Sequence, residues 1–137
     1  MSAVSGMVKG VNLMTKRLTI WNREFDLRVA FDCFDDEEVL PIQEQALEAF
    51  LKAEDVIQES KKLLESYILN DEYAEIDGDS IDNIFKYVIP TDIFIPRTPE
   101  TRTVALLCDY RFDEEHGVAI VFENEEFKKI GTQDIVL

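Results

Sequence analysis

Histidine occurs once in this chain, as His116, and cysteine twice, as Cys33 and Cys108. Those scarcities close off several chemistries. A structural zinc site needs four Cys or His ligands, and the whole chain holds three such residues. The cysteines form no C-x-x-C pair, and each lies in an apolar run where a free, buried thiol is the ordinary outcome. A Ser, Cys or Thr nucleophile needs a base in reach, and there is neither a second histidine nor a G-x-S-x-G elbow. Cys108 precedes His116 by eight residues, but the pattern puts the thiol on the core face of a strand and the histidine in the turn beyond it. Nothing electropositive is there to lower the thiol's pKa. Glycine is sparse as well, and no Gly-rich loop opens a helix, so a phosphate cradle is missing. No apolar run is long enough to span a bilayer, and residues 1–18 lack the continuous apolar core of a signal peptide. These absences point to a non-catalytic protein without a cofactor, in a reducing cytoplasm.

Positive charge is scarce too. Fourteen Lys and Arg face 29 Asp and Glu, for a formal charge of −15. Lys9, Lys16, Arg17 and Arg23 all precede the first acid, Glu24, so the rest of the chain is more acidic still. Such a body repels nucleic-acid backbones and anionic membranes and attracts basic protein surfaces. Acidity can equally serve solubility alone, and composition does not separate the two.

Apolar residues are not scarce. They make up 46% of the 137 residues, enough to fill one core, and the length suits one domain over residues 1–137. Residues 1–16, punctuated by Gly6 and Gly10, read as a loose lead-in or short edge strand. Order begins near Leu18. Phe25, Leu27, Val29 and Phe31 then recur at every second position, the period of a half-buried strand, so a β-hairpin is expected with its turn at Asn22-Arg23-Glu24. From Ile42 to Ile68 the apolar residues fall three, four and seven apart, a helical stripe that Pro41 is placed to start. The stripe weakens around Glu54-Asp55 and residues 59–62, which favours two helices over one.

Residues 71–80 read as a polar loop, with Asp79 or Ser80 placed to cap a short helix through Phe85 and Tyr87. Pro90, Pro96 and Pro99 bracket Ile93-Phe94-Ile95, which suits a short edge strand. The final third alternates as a β-meander. In it, Val118 to Phe122 is apolar on both faces and therefore internal, and Glu123-Asn124-Glu125 turns the chain into a last strand that ends at Gly131. The expected fold is α+β: a mainly antiparallel sheet, from an N-terminal hairpin and a C-terminal meander, with helices packed on one face.

Two sets of residues stand out. Residues 32–59 hold ten acids and one base, Lys52. Asp35, Asp36, Glu37 and Glu38 precede the first helix, where acids favour its positive end, and Glu44, Glu48, Asp55 and Glu59 continue along its outward side and the next. These eight are the candidate contacts to a basic partner, and a merely solvated face is the plain alternative. The second set is the turn Asp113, Glu115, His116 and Gly117, where Gly117 supplies a backbone conformation closed to other residues and His116 bonds a neighbouring carboxylate or carbonyl. Contact with a ligand is the competing reading for His116. Neighbouring acids favour its protonated form. Asp77-Gly78-Asp79 and Asp113-Glu114-Glu115 offer oxygens to a hard cation, but without calcium-loop spacing.

The run Cys108-Asp109-Tyr110, then Asp113-Glu114-Glu115-His116-Gly117 and the strand to Phe122, closed by Ile130-Gly131-Thr132-Gln133-Asp134, resembles a known signature. It is similar to the C-terminal part of an uncharacterised family of small bacterial α+β domains, with E-H-G before an apolar strand and G-x-x-D downstream. Relatives of that kind are grouped with immunity proteins of polymorphic toxin systems. The resemblance implies a bacterial cytoplasmic domain that occludes a basic toxin domain, and it carries over no catalytic residue. Two other classes remain beside it: a structural or homo-oligomeric module pairing through Ile93 to Ile95 or Ile135-Val136-Leu137, and an enzyme using clustered carboxylates with a metal.

Overall fold

The structure, a computed structural model, describes residues 14–34 and 36–137. Strand β1 (Met14–Ile20) starts inside the expected lead-in, so Met14, Thr15 and Lys16 are strand; the remainder of that lead-in lies outside the described residues. It pairs antiparallel with β2 (Arg23–Phe31). The turn falls one residue earlier than the sequence suggests, on Trp21 and Asn22, both left-handed with φ of 52° and 70°. Two such residues give the tight hairpin whose twist matches its strands. A tryptophan accepts this backbone only where its surroundings hold it. Here the indole is buried and its Nε1 donates to the Ile57 carbonyl and to Ser60 Oγ.

Two helices follow, as the interrupted stripe suggests: α1 (Pro41–Lys52) and α2 (Glu54–Leu69). The break is Ala53, whose φ of −89° and ψ of 56° leave the helical region. Pro41 occupies the first turn of α1, where its missing N–H costs nothing. Gln43, a buried glutamine, reaches back to accept the Leu40 amide at 2.8 Å. The polar loop after α2 ends in a 3-10 turn, Ile84–Lys86, capped by Asn83 rather than by Asp79 or Ser80. Asn83 sits two residues before the amide of Phe85, within reach of its side-chain oxygen.

The segment around Ile93-Phe94-Ile95 is not an edge. Strand β3 (Val88–Ile95) lies inside the sheet, parallel to β2 and antiparallel to β4 (Thr103–Tyr110). Pro90 is tolerated because the register shifts between Pro90 and Asp92, at an irregularity where a missing N–H is not needed. Ile93 and Phe94 are hydrogen-bonded to a strand on each side, so this segment has no free edge to lend to a second copy of the chain. Strands β5 (Val118–Glu123) and β6 (Glu126–Gly131) complete the meander through a turn at Asn124 and Glu125, again with positive φ. The six strands lie in the order β1 to β6 in one sheet. Only β2 and β3 are parallel, because the chain between them crosses over through α1 and α2.

This is an α+β fold with a mainly antiparallel sheet. Ala46, Leu47, Phe50, Ile57, Leu64 and Ile68 of the helices share one buried cluster with alternate strand residues such as Ile20, Leu27, Ile93, Leu106 and Ile120. Phe50 meets Phe122 at 5.2 Å between ring centres. Each such side chain contributes about 1.5–3 kcal/mol on leaving water. The other strand positions, among them Ala30, Phe94, Ala105 and Leu107, form a second cluster that contains no helix residue. No helix among the described residues is long and apolar enough to cross a membrane.

Candidate functional site

The acidic residues singled out in the sequence divide into three groups. Asp36, Glu38, Glu44, Glu48, Asp55 and Glu59 are exposed. Among the described residues none of the six makes an ion pair, although Arg17, Arg28 and Arg102 each sit on a carboxylate elsewhere. Glu44 and Glu48 stand one turn apart on α1, and Asp55 and Glu59 one turn apart on α2. Like charges at that spacing repel, so these pairs lower helix stability slightly. Glu37 is different: it accepts the Phe34 amide and lies 3.5 Å from Arg97, which itself donates to the Glu38 carbonyl. Glu37 holds the loop ahead of α1 closed. Asp35 lies outside the described residues.

The turn after β4 is organised by Asp113. Its Oδ1 accepts the His116 amide at 3.1 Å and faces His116 Nδ1 at 3.0 Å. That hydrogen bond, together with the charge of Asp113, holds the imidazole pKa above its ordinary value. Glu115 is farther off, 3.8 Å from Nε2. Gly117 has φ of +59° and donates its N–H to the Asp113 carbonyl. A Cβ there would lie 2.7 Å from the Cys108 carbonyl oxygen, and it would also strike Gln133. Cys108 is buried in the main core cluster, and burial pushes its thiol pKa well up. A half-exposed histidine in the turn and a core thiol do not make a nucleophile and its base.

The sequence reading missed a cleft of about 570 Å³ between the C-terminal end of α2 and the end of β4. Tyr67, Asp71, Tyr73, Tyr110, Phe112 and Asp113 line it, with Glu72 and Thr132 beside them. The 2.7 Å hydrogen bond from Tyr110 Oη to Asp71 Oδ2 ties its two sides together. Asp71 Oδ1 also accepts the Tyr73 amide. Tyr110 stands edge-on to Phe112 at 5.7 Å and tilted to Tyr67 at 6.4 Å, while Tyr73 is 75% exposed at the mouth. Burial, the Asp71 bond and nearby acids hold the Tyr110 phenol neutral, and burial with the charges of Asp71 and Asp113 raises Tyr67. Among the described residues no basic side chain lines the cleft and none occupies the last turn of α2, whose negative end is met by the Asn70 side chain and the amides of Asn70 and Asp71 but by no positive charge. Rings, carboxylates and helix end all favour a cation. Each half was visible in the sequence, but nothing local joins residue 71 to residue 110. Among the described residues, no group of three or more His, Cys, Asp or Glu is placed to hold a metal ion.

The chain belongs to the family described as domain of unknown function DUF6985, whose model matches residues 10–137. No curated protein and no solved structure matches it.

Proposed function

We propose that this chain is a non-catalytic bacterial binding protein that takes a basic protein partner on its acidic helical surface, as an immunity protein would take a toxin domain. In this reading the two helices cover one face of the sheet and present their acids outward in the cytoplasm. The observation that carries it is the set of seven exposed carboxylates between Asp36 and Glu59, Glu54 among them, that have no counter-ion among the described residues. The Glu44–Glu48 and Asp55–Glu59 repulsions cost the helices stability, and a basic surface would relieve that cost while steering its own approach. The test is to express the product of the neighbouring gene, expected to carry a basic C-terminal toxin domain, with and without this chain. Growth rescued by the chain, and not by a variant carrying Glu44→Lys, Glu48→Lys, Asp55→Lys and Glu59→Lys, is the expected result. A neighbour with no such domain, or a variant that rescues as well as the parent, contradicts the proposal.

A further inference from the structure

We infer that the cleft between α2 and β4 receives a single arginine side chain presented by the basic partner; the inference rests on the binding reading above and adds an anchor point to it. The cleft is more than a group of acids. It has a volume of about 570 Å³, room for a long side chain with its flanking backbone, and rings line it: half-buried Tyr67 and Phe112, the latter backed by Tyr87, with buried Tyr110 between them and Tyr73 at the mouth. Aromatic faces attract cations, and guanidinium is the protein cation that sheds water most readily and stacks flat on a ring.

The polar groups fit the same guest. Asp71 and Asp113 are fixed in place, by Tyr110 and the Tyr73 amide in one case and by His116 in the other, so their charge is held at the cleft without cost at the moment of binding. Glu72 is exposed, makes no ion pair among the described residues, and is the carboxylate left to meet a guanidinium directly. The end of α2 adds its negative pole. An anion would meet three carboxylates there, and a neutral apolar guest would leave Glu72 without a counter-ion.

The source of the cation is a peptide-borne side chain and not free arginine, whose own carboxylate the cleft would repel. The test uses the full chain and three probes followed by NMR at the aromatic resonances of Tyr67, Tyr73, Tyr110 and Phe112: acetyl-Gly-Arg-Gly-amide, the same peptide with citrulline in place of arginine, and free arginine. The arginine peptide should give saturable shifts confined to those rings, half-complete at roughly 1–10 mM. The citrulline peptide and free arginine should each bind at least about fivefold more weakly. Tyr73→Ala and Glu72→Gln change exposed side chains and should each weaken the arginine peptide about threefold or more while leaving the fold's spectrum intact. The Glu44→Lys, Glu48→Lys variant should bind the peptide as the parent does, so loss of the helical reading and loss of the cleft reading are told apart. Absent saturation, shifts elsewhere in the molecule, or equal binding of citrulline or free arginine would overturn the inference.

Discussion

Trp21 donates its indole N–H to the main-chain carbonyl of Ile57, 3.1 Å away, and so fastens the β1–β2 turn to α2. Gln58 completes the attachment through Asn22, accepting its amide and donating to its side-chain oxygen. Replacing Trp21 by phenylalanine removes the donor and part of the buried volume and should cost about 1–3 kcal/mol. The urea midpoint measures it. A shift corresponding to less than ~0.5 kcal/mol would show that the indole does not hold the turn to the helix.

Gln43 is the second long-range tie. Its Nε2 lies 3.1 Å from the Asp32 carbonyl and 3.2 Å from that of Ile95, joining the ends of β2 and β3 to the start of α1. Gln43→Leu keeps much of the volume but strands the Leu40 amide and removes a donor from those carbonyls, of which that of Ile95 keeps the Asp32 amide, so a loss of about 2–3 kcal/mol is expected. Thermal or urea unfolding that matches the parent would refute this role.

Much of the architecture was legible from residue periods alone. The alternation from Phe25 to Phe31, the interrupted stripe from Ile42 to Ile68 and the doubly apolar run at Val118 each became the element its period names. The Asn83 cap was a local miss, and the larger failures share one cause, dependence on partners distant in sequence. Pro90 and Pro96 argued for an edge, but a local register shift lets β3 sit centrally and bridge hairpin and meander. Trp21 took a left-handed turn position because α2 buries its ring, which no local signal announces. The cleft needs Asp71 beside Tyr110, and Gln43 needs the end of β3; both are products of the crossover. Gly117, by contrast, was legible because its constraint is its own backbone.

Gly117→Ala is expected to be severe. A left-handed backbone costs an ordinary residue about 1–2 kcal/mol before any clash, and the new methyl would also press on the Cys108 carbonyl. A total near 2 kcal/mol or more follows, read from the urea midpoint; an unchanged midpoint would mean that the turn adapts freely.

His116 should titrate above its ordinary 6.5, because protonation strengthens its bond to Asp113. A raised folded-state pKa stabilises the fold below the unfolded value of 6.5, and that stabilisation is lost as pH climbs through the folded value. Asp113→Asn should return the midpoint toward 6.5 or below and flatten this part of the stability profile. Imidazole proton shifts followed by NMR check both; a parent midpoint at or under 6.5 would contradict the geometry.

Glu48→Gln separates recognition from solvation. Relief of its repulsion with Glu44 should raise stability by about 0.2–0.5 kcal/mol. If the helical acids face a partner, the same change lowers the association rate. If they are only hydrated, stability rises and binding is untouched.

The most direct measurement is the association rate between this chain and the basic partner domain proposed for it, taken by stopped flow as sodium chloride rises from ~0.05 to ~0.5 M. A recognition surface built from unpaired carboxylates requires the rate to fall by roughly tenfold or more, with a smaller fall for the four-lysine variant. A rate indifferent to salt, for parent and variant alike, would contradict the account.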